Sequence, residues 1–597
     1  MTTDAAYTAL VQEAFIDPIR SVLIIDDDYP TWEEILDRTS LAGICELVAK
    51  SDPESKSWLR EPGPVLELIK KFRQKKPGLM IDIYDGAKAS DTNEDVLASH
   101  LHQSDMLILD YQLNGDKGDG KKSRSIAHAL LENRHFNLVV IHTKADNLAV
   151  PFNEMVLSLL SPCAHIKDKQ AQINEAAAKI KDFEGDNTEE SIFQALQDAF
   201  GTDQYFHTRH PKTGTKSVGL LIKGEAPFVE FKKALDRLGC KNGDIPKFLF
   251  WAMNNFETRH KDQLAEQQYR ELSWSSDHNC LWIRTDSGFM SFAKKDEPDL
   301  IGVLKKAIVA WQPSPSRLLS AKFRSQIDEH GVIVEDKALS NRHVYAKFYE
   351  RIFKGTQEER MSLIDDHVDR HIEQLTTEIK DEVRKFGISI VDSDDGTFLK
   401  HYGIDLNKQA ENELAIRHYN GYVSTKRMGG WHLTCGHVLQ LDGDYWVCAS
   451  PACDMYPNNN VVGIDSDTER AVRSFVAMKL YKRTGHPSGP QINSNNILFI
   501  NIDGKVMPFS IYSGNDDDGD KTVSPTWRLF LSMNKGKITK EGDVLKAQIA
   551  RFKTDNGGIT HQTEEAKIVA QLRYEYALNL IQKLGANLTR VGLDYAV

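Results

Sequence analysis

Val22-Leu23-Ile24-Ile25-Asp26-Asp27-Asp28 is an apolar run of strand length that stops abruptly at three carboxylates. Four consecutive aliphatic residues predict a strand buried on both faces, the kind found inside a parallel sheet. Acids gathered at the carboxyl end of such a strand repel one another unless a cation lies among them. A second run, Met106-Leu107-Ile108-Leu109, also ends in acid, at Asp110. Open α/β sheets bind ligands at the carboxyl ends of their strands. The spacing therefore predicts that Asp26, Asp27 and Asp110 converge on one hard cation, with Mg2+ the natural fit.

Further strand ends extend this set. Leu138–His142 is followed by Thr143, whose hydroxyl can hydrogen-bond a phosphoryl oxygen. A short run, Cys163–Ile166, precedes Lys167, whose ammonium can neutralise the same group, with Lys144 as a rival. Strand candidates also include Leu79–Tyr84, and helices are expected at Trp32–Ala49, Val65–Arg73, Glu94–His102, Ser123–Asn133 and Asn153–Leu160. Strands alternating with helices imply a parallel sheet with right-handed crossovers. An acidic pair, a single aspartate, a hydroxyl and a lysine in this order suit phosphoryl transfer to a carboxylate.

The pieces Leu23–Asp28, Leu107–Asp110, Val140–Thr143 and Lys167 resemble the receiver domain of bacterial two-component response regulators. The resemblance implies a flavodoxin-like, doubly wound parallel sheet with Asp110 as phosphoacceptor. It implies Asp26, Asp27, Asp110 and the main-chain carbonyl of Gln112 as Mg2+ ligands, Thr143 and Lys167 as phosphate-sensing groups, and a sensor histidine kinase as donor. Three departures stand out: a long gap from Asp27 to Asp110, a long proline-free loop Leu113–Gly120, and Asp168 after the lysine. The long gap implies an extra helix before the second strand. With the closing segment Leu584–Tyr595, the whole chain is similar to the regulator of Detocs-type antiphage two-component systems. That similarity implies a regulator or phosphate sink without further enzymatic activity. The alternative is a phosphorylation-gated effector with an unrecognised enzymatic or nucleic-acid-binding output region.

The remainder of the 597 residues is too long for one core. A net charge of −12 argues against a general nucleic-acid binder. No signal peptide or apolar run of membrane length is visible, so a cytoplasmic protein is expected. The expected division is a receiver at 1–185, a mixed α/β domain at 186–340, a helical segment at 341–390, a zinc-binding subdomain at 391–470 and an α+β region at 471–597. Within 186–340, Ser217–Ile222 and Asn279–Thr285 look like strands; nearer the end of the chain so does Asn496–Ile502, with a helix at Glu564–Leu584. Met361, Ile364, Val368, Ile372, Leu375, Ile379, Val383 and Phe386 recur at steps of three and four. That pattern suits a long helix lying on its own domain or forming a homodimer seam.

Three of the seven cysteines cluster, and Cys435, His437, Cys448 and Cys453 give two ligand pairs across a hairpin, Val438–Val447, with Asp442-Gly443 at its tip. This suggests a closed structural Zn2+ site, with His432 a spare ligand. His367 and His371 share a helix face, and Asn515–Asp520 hints at a calcium loop that lacks its glutamate; both are expected to be plain surface. No P-loop, kinase motif or nucleophile elbow is present.

Overall fold

The computed structural model describes residues 3–39, 56, 58, 62–86, 104–113, 119–132, 136–186, 191–275, 277, 279–339, 341–456, 472–483, 485, 487, 492, 497–513, 525–555 and 558–588. The expected helix Glu94–His102, the acidic run Asn515–Asp520, most of the loop Leu113–Gly120 and the end of Leu584–Tyr595 lie outside them. The chain forms two compact units, one of residues 1–329 and 379–401, the other of 330–378 and 402–597.

The first unit is built on a seven-stranded sheet. Its strands are β1 (Ser21–Asp26), β2 (Met80–Asp85), β3 (Met106–Asp110), β4 (Asn137–Thr143), β5 (Ser273–Trp274), β6 (Trp282–Arg284) and β7 (Gly288–Lys294), in the spatial order β2-β1-β3-β4-β7-β6-β5. The pairs β2–β1, β1–β3, β3–β4 and β4–β7 are parallel, while β6 and β5 extend the sheet antiparallel. Five parallel strands with β1 second from the edge give the flavodoxin-like order. The fifth place is taken by β7, however. Between β4 and β7 the chain makes a helical insertion that includes Ala149–Leu159, Gln170–Asp186, Val229–Arg237 and Ile245–Arg259.

Side-chain alternation along the strands sorts the core into two layers. Ile25, Leu107, Leu109, Val139 and Ile141 face the inserted helices, meeting Phe152, Met155, Phe248 and Phe256 among others. Val22, Ile24, Met106, Ile108 and Val140 face the opposite layer, with Leu10, Leu68, Leu304, Phe386 and Ile390.

Two expected strands are helical here. Cys163–Ile166 is replaced by the short helix Ala164–Lys167, and Ser217–Ile222 lies in the helix Ser217–Lys223. In the latter only Ser217 and Leu221 are buried, a spacing of four that a helix satisfies and a strand does not. The boundary expected at 185 falls inside this unit, because β4 and β7 pair across it.

A buried ion pair ties the insertion together. Glu257 Oε1 accepts from Arg209 Nη1 at 3.0 Å, Tyr205 Oη at 2.8 Å and the Cys163 amide at 3.0 Å. Removing one member of such a set strands the other charge, at a cost of about 3–5 kcal/mol. Glu257→Ala is therefore expected to lower the denaturation midpoint strongly. A denaturant titration showing less than about 1 kcal/mol lost would contradict it.

The second unit is a barrel. Its strands are β8 (Thr425–Lys426), β9 (His437–Leu441), β10 (Asp444–Cys448), β11 (Arg473–Lys482), β12 (Ile497–Ile502), β13 (Lys505–Ser510), β14 (Trp527–Ser532), β15 (Ile538–Glu541), β16 (Val544–Asp555) and β17 (Gly558–Leu572). Six of them, β10-β9-β17-β16-β14-β11, close into a ring through the β10–β11 pairing. Closure leaves these strands no free edges. Leu439, Trp446, Cys448, Phe475, Phe530, Ile549 and Ile568 form one core, and Val438, Val447 and Met478, of opposite parity, join β12, β13 and the helix Tyr574–Leu588 in another. The hairpin at Asp442-Gly443 has positive φ at both residues (51° and 80°), as its tight turn requires. Residues 391–470 do not stand apart, since β9 and β10 share this barrel with β11 to β17. The helix expected at Glu564–Leu584 begins at Tyr574; before it runs a strand on which Ala566 and Ile568 join one core and, past a register shift, Ala570 and Leu572 the other. The segment Gln357–Asp392 is one α-helix.

His437 is fully buried in this unit, its Nδ1 accepting from the Thr434 amide at 3.0 Å. Burial pushes its pKa down to about 4. The unfolded chain then binds the proton more tightly than the folded one, so stability is present above about pH 6.5 and declines as pH falls toward 4. Melting curves at pH 7 and 4.5 should show a larger drop for the wild type than for His437→Gln. Equal drops would exclude this imidazole as the cause.

Candidate phosphoacceptor site

Asp26 is the last residue of β1, Asp110 the last of β3 and Thr143 the last of β4, so the parallel sheet delivers all three to one end. Ligand oxygens of Asp26, Asp27 and Asp110 lie within 4.8 Å of one another. Asp26 is 1% exposed and Asp110 2%, with Asp27 half-buried on the solvent side. Each buried carboxylate is held by its own turn: the Asp28 amide donates to Asp26 Oδ1 at 2.9 Å, and the Gln112 amide to Asp110 Oδ1 at 3.2 Å. Ser123 Oγ donates to the Asp110 carbonyl at 2.6 Å, fixing the end of β3.

The cation that reaches both Asp26 and Asp110 is Lys295, the residue after β7. Its Nζ lies 2.9 Å from Asp26 Oδ2 and 2.8 Å from Asp110 Oδ2. Its amide donates to the Thr143 carbonyl at 2.9 Å, and its ammonium lies 5.8 Å from the Tyr29 ring centre. Burial disfavours the ammonium, but the two carboxylates outweigh it and hold the Lys295 pKa above its usual value. Burial raises Asp26 and Asp110, with Lys295 opposing the rise in both. Three carboxylates against one ammonium leave negative charge that a hard divalent cation satisfies. The oxygen-only donor set fits Mg2+.

Thr143 is fully buried, and its Oγ1 donates to the Gln112 side-chain oxygen at 3.1 Å while accepting from the Ala145 amide. Gln112 Oε1 also accepts from the Lys144 amide at 3.2 Å. Lys144 Nζ reaches Asp28, at 4.0 Å, and is no rival for the central place. Lys167 ends a four-residue helix and is exposed. The lysine at the acidic cluster is thus Lys295 and not Lys167. Sequence spacing missed it because 185 residues separate it from Asp110. The available clue was local: Gly288–Ala293 is an apolar run ending in Lys294-Lys295.

The zinc set does not assemble. Among the described residues, the Asp26/Asp27/Asp110 group is the one cluster of three or more metal-ligating side chains. Cys435, just before β9, and Cys448, at the end of β10, are buried in separate apolar clusters, while Cys453 is exposed. His437 and Cys448 are strand residues, buried by the packing of the barrel.

Residues 18–197 match the family described as "Response receiver domain", which makes this a receiver-domain protein. The match covers less than a third of the chain and stops short of β7. No curated protein and no solved structure matches the chain. Among the described residues, no helix is long and apolar enough to cross a membrane.

Proposed function

We propose that Asp110 takes a phosphoryl group from the phosphohistidine of a partner sensor kinase. The N–P bond breaks as an Asp110 Oδ–P bond forms, and the imidazole leaves to its own protein. The reading rests on the meeting of Asp26, Asp27, Asp110 and Lys295 at one sheet end. Asp26, Asp27 and Asp110, with the Gln112 carbonyl, would hold Mg2+, which when bound spreads the charge of the transferring group. Lys295 carries part of that charge as well. For Thr143 to reach the phosphoryl group it must leave Gln112, so phosphorylation exchanges one buried hydrogen bond for another. That exchange is the switch.

We further propose that the protein acts as regulator or phosphate sink in a bacterial antiphage phosphorelay, in the cytoplasm. Met361, Ile364, Val368 and Ile372, exposed on the helix Gln357–Asp392, offer a seam for a second copy. The second reading, a phosphorylation-gated effector, draws on one observation: a polar cavity beyond residue 190. The test mixes the purified protein with its partner kinase and radiolabelled ATP. Label should pass to the wild type and not to Asp110→Asn; label on both ends the phosphoacceptor reading. A sink stays inert once labelled, whereas an effector gains an activity.

A further inference from the structure

A cavity of about 570 Å³ lies in the first unit, away from the acidic cluster, where β5 and β6 meet the junction between the helices Leu300–Trp311 and Pro315–Leu339. Its size suits a small organic ligand. Two features of its lining define what that ligand is.

The first is unbalanced positive charge. Arg284, Arg317 and Lys212 line the cavity against Glu271 and Asp277. Arg284 is ion-paired with Glu271, yet its Nε is buried without a hydrogen-bond partner. Arg317 has no carboxylate partner among the described residues and reaches the Asp286 carbonyl at 3.5 Å. Its guanidinium lies 4.5 Å from the Phe136 ring centre, and burial and the neighbouring Arg284 push its pKa down, outweighing the pull of Glu271 and Asp286. His210 adds no charge: its Nε2 bonds the Trp274 carbonyl and its Nδ1 accepts from the Lys212 amide, so the ring is neutral. Serine hydroxyls at 314 and 316 sit at the amino end of the 25-residue helix, whose dipole also favours an anion.

The second is aromatic wall. Trp274, Trp282 and Trp311 all line the cavity. The Arg284 guanidinium lies 4.9 Å from the Trp311 ring centre and Trp282 stacks on Phe289, whereas Trp274 meets Phe206 and His210 at steep angles (61° and 89°) with neither stacked on it. Arginine, lysine and hydroxyl groups recognise phosphate, and indole faces recognise planar heterocycles.

We propose that this cavity binds a mononucleotide, its phosphate held by Arg317, Lys212 and the serine-rich helix end and its base packed against the indoles. The site is independent of Asp110. Its place on β6, which pairs with β7, the strand just before Lys295, puts it in the same sheet as the phosphoacceptor.

Calorimetric titration of the full chain with each of the four ribonucleoside 5′-monophosphates, with adenosine and with inorganic phosphate tests this. At least one nucleotide should bind with a dissociation constant below about 1 mM, and nucleoside or phosphate alone about 10-fold more weakly. Arg317→Gln should weaken binding about 10-fold, the worth of one charge-assisted hydrogen bond. Lys212→Gln, at an exposed position that folding does not depend on, should weaken it in the same direction, and Asp110→Asn should leave it unchanged. No binding of any nucleotide, or equal affinity in wild type and Lys212→Gln, overturns the proposal. So does phosphate binding as tightly as the nucleotide.

Discussion

Asp110→Asn is expected to abolish the hydroxylamine-sensitive acyl-phosphate label completely, while the protein remains folded. An amide has the shape of a carboxylate and can still accept from the Gln112 amide, but it is no nucleophile toward phosphorus. Its fold should not suffer. Asp110 is buried beside two other acids, and burial already raises its pKa, so the charge it carries is costly in the unligated state. Neutralising it leaves Lys295 paired with Asp26. The melting midpoint should therefore hold or rise as phosphorylation vanishes. Mass spectrometry after labelling locates the modification; residual label on Asp26 or Asp27 in the variant would show that the acceptor is misassigned.

The second large effect is expected at Lys295. Lys295→Gln removes the one ammonium that bridges Asp26 and Asp110 and should slow phosphoryl transfer at least about 100-fold, the scale seen when a preorganised charge-stabilising group is lost. It should also cost stability on the order of 3 kcal/mol, since two buried carboxylates are left without their counter-charge. Added Mg2+ should restore much of that stability, because a cation relieves the same repulsion, without restoring the rate. Lys295→Arg keeps the charge and should recover stability better than rate. Lys167→Gln is the control and should behave as wild type. The assignment sinks if Lys167→Gln slows transfer while Lys295→Gln does not.

The contrast between these lysines measures what the sequence discloses. Strands β1, β3 and β4 were legible because each is a continuous apolar run ending in a residue with chemical purpose, Asp26, Asp110 or Thr143. Asp26, Asp110 and Thr143 follow from those endings. The lysine did not, because its strand is seventh in chain order and fifth in the sheet, and chain spacing carries no information once a helical insertion intervenes. Short apolar runs were the other weak point. Cys163–Ile166 and Ser217–Ile222 are equally good as strand or buried helix turn until their neighbours are known. The barrel was not legible for a related reason: the ligand-like spacing of His437 and Cys448 is also that of two residues at the open end of a β-hairpin.

The late arrival of β7 has a consequence for how this molecule can be made and cut. On a ribosome, β1 to β4 emerge first, and the edge of β4 stays unzipped until the helices between have been synthesised and folded. A fragment trimmed at residue 197 would carry the acceptor aspartate yet bare the edge of β4, every residue of which is buried in the whole protein, and would lack the ammonium of Lys295. Such a piece should clump rather than signal. The smallest portion that behaves as a receiver has to run past Lys295 and into the helix Leu300–Trp311 that covers β7.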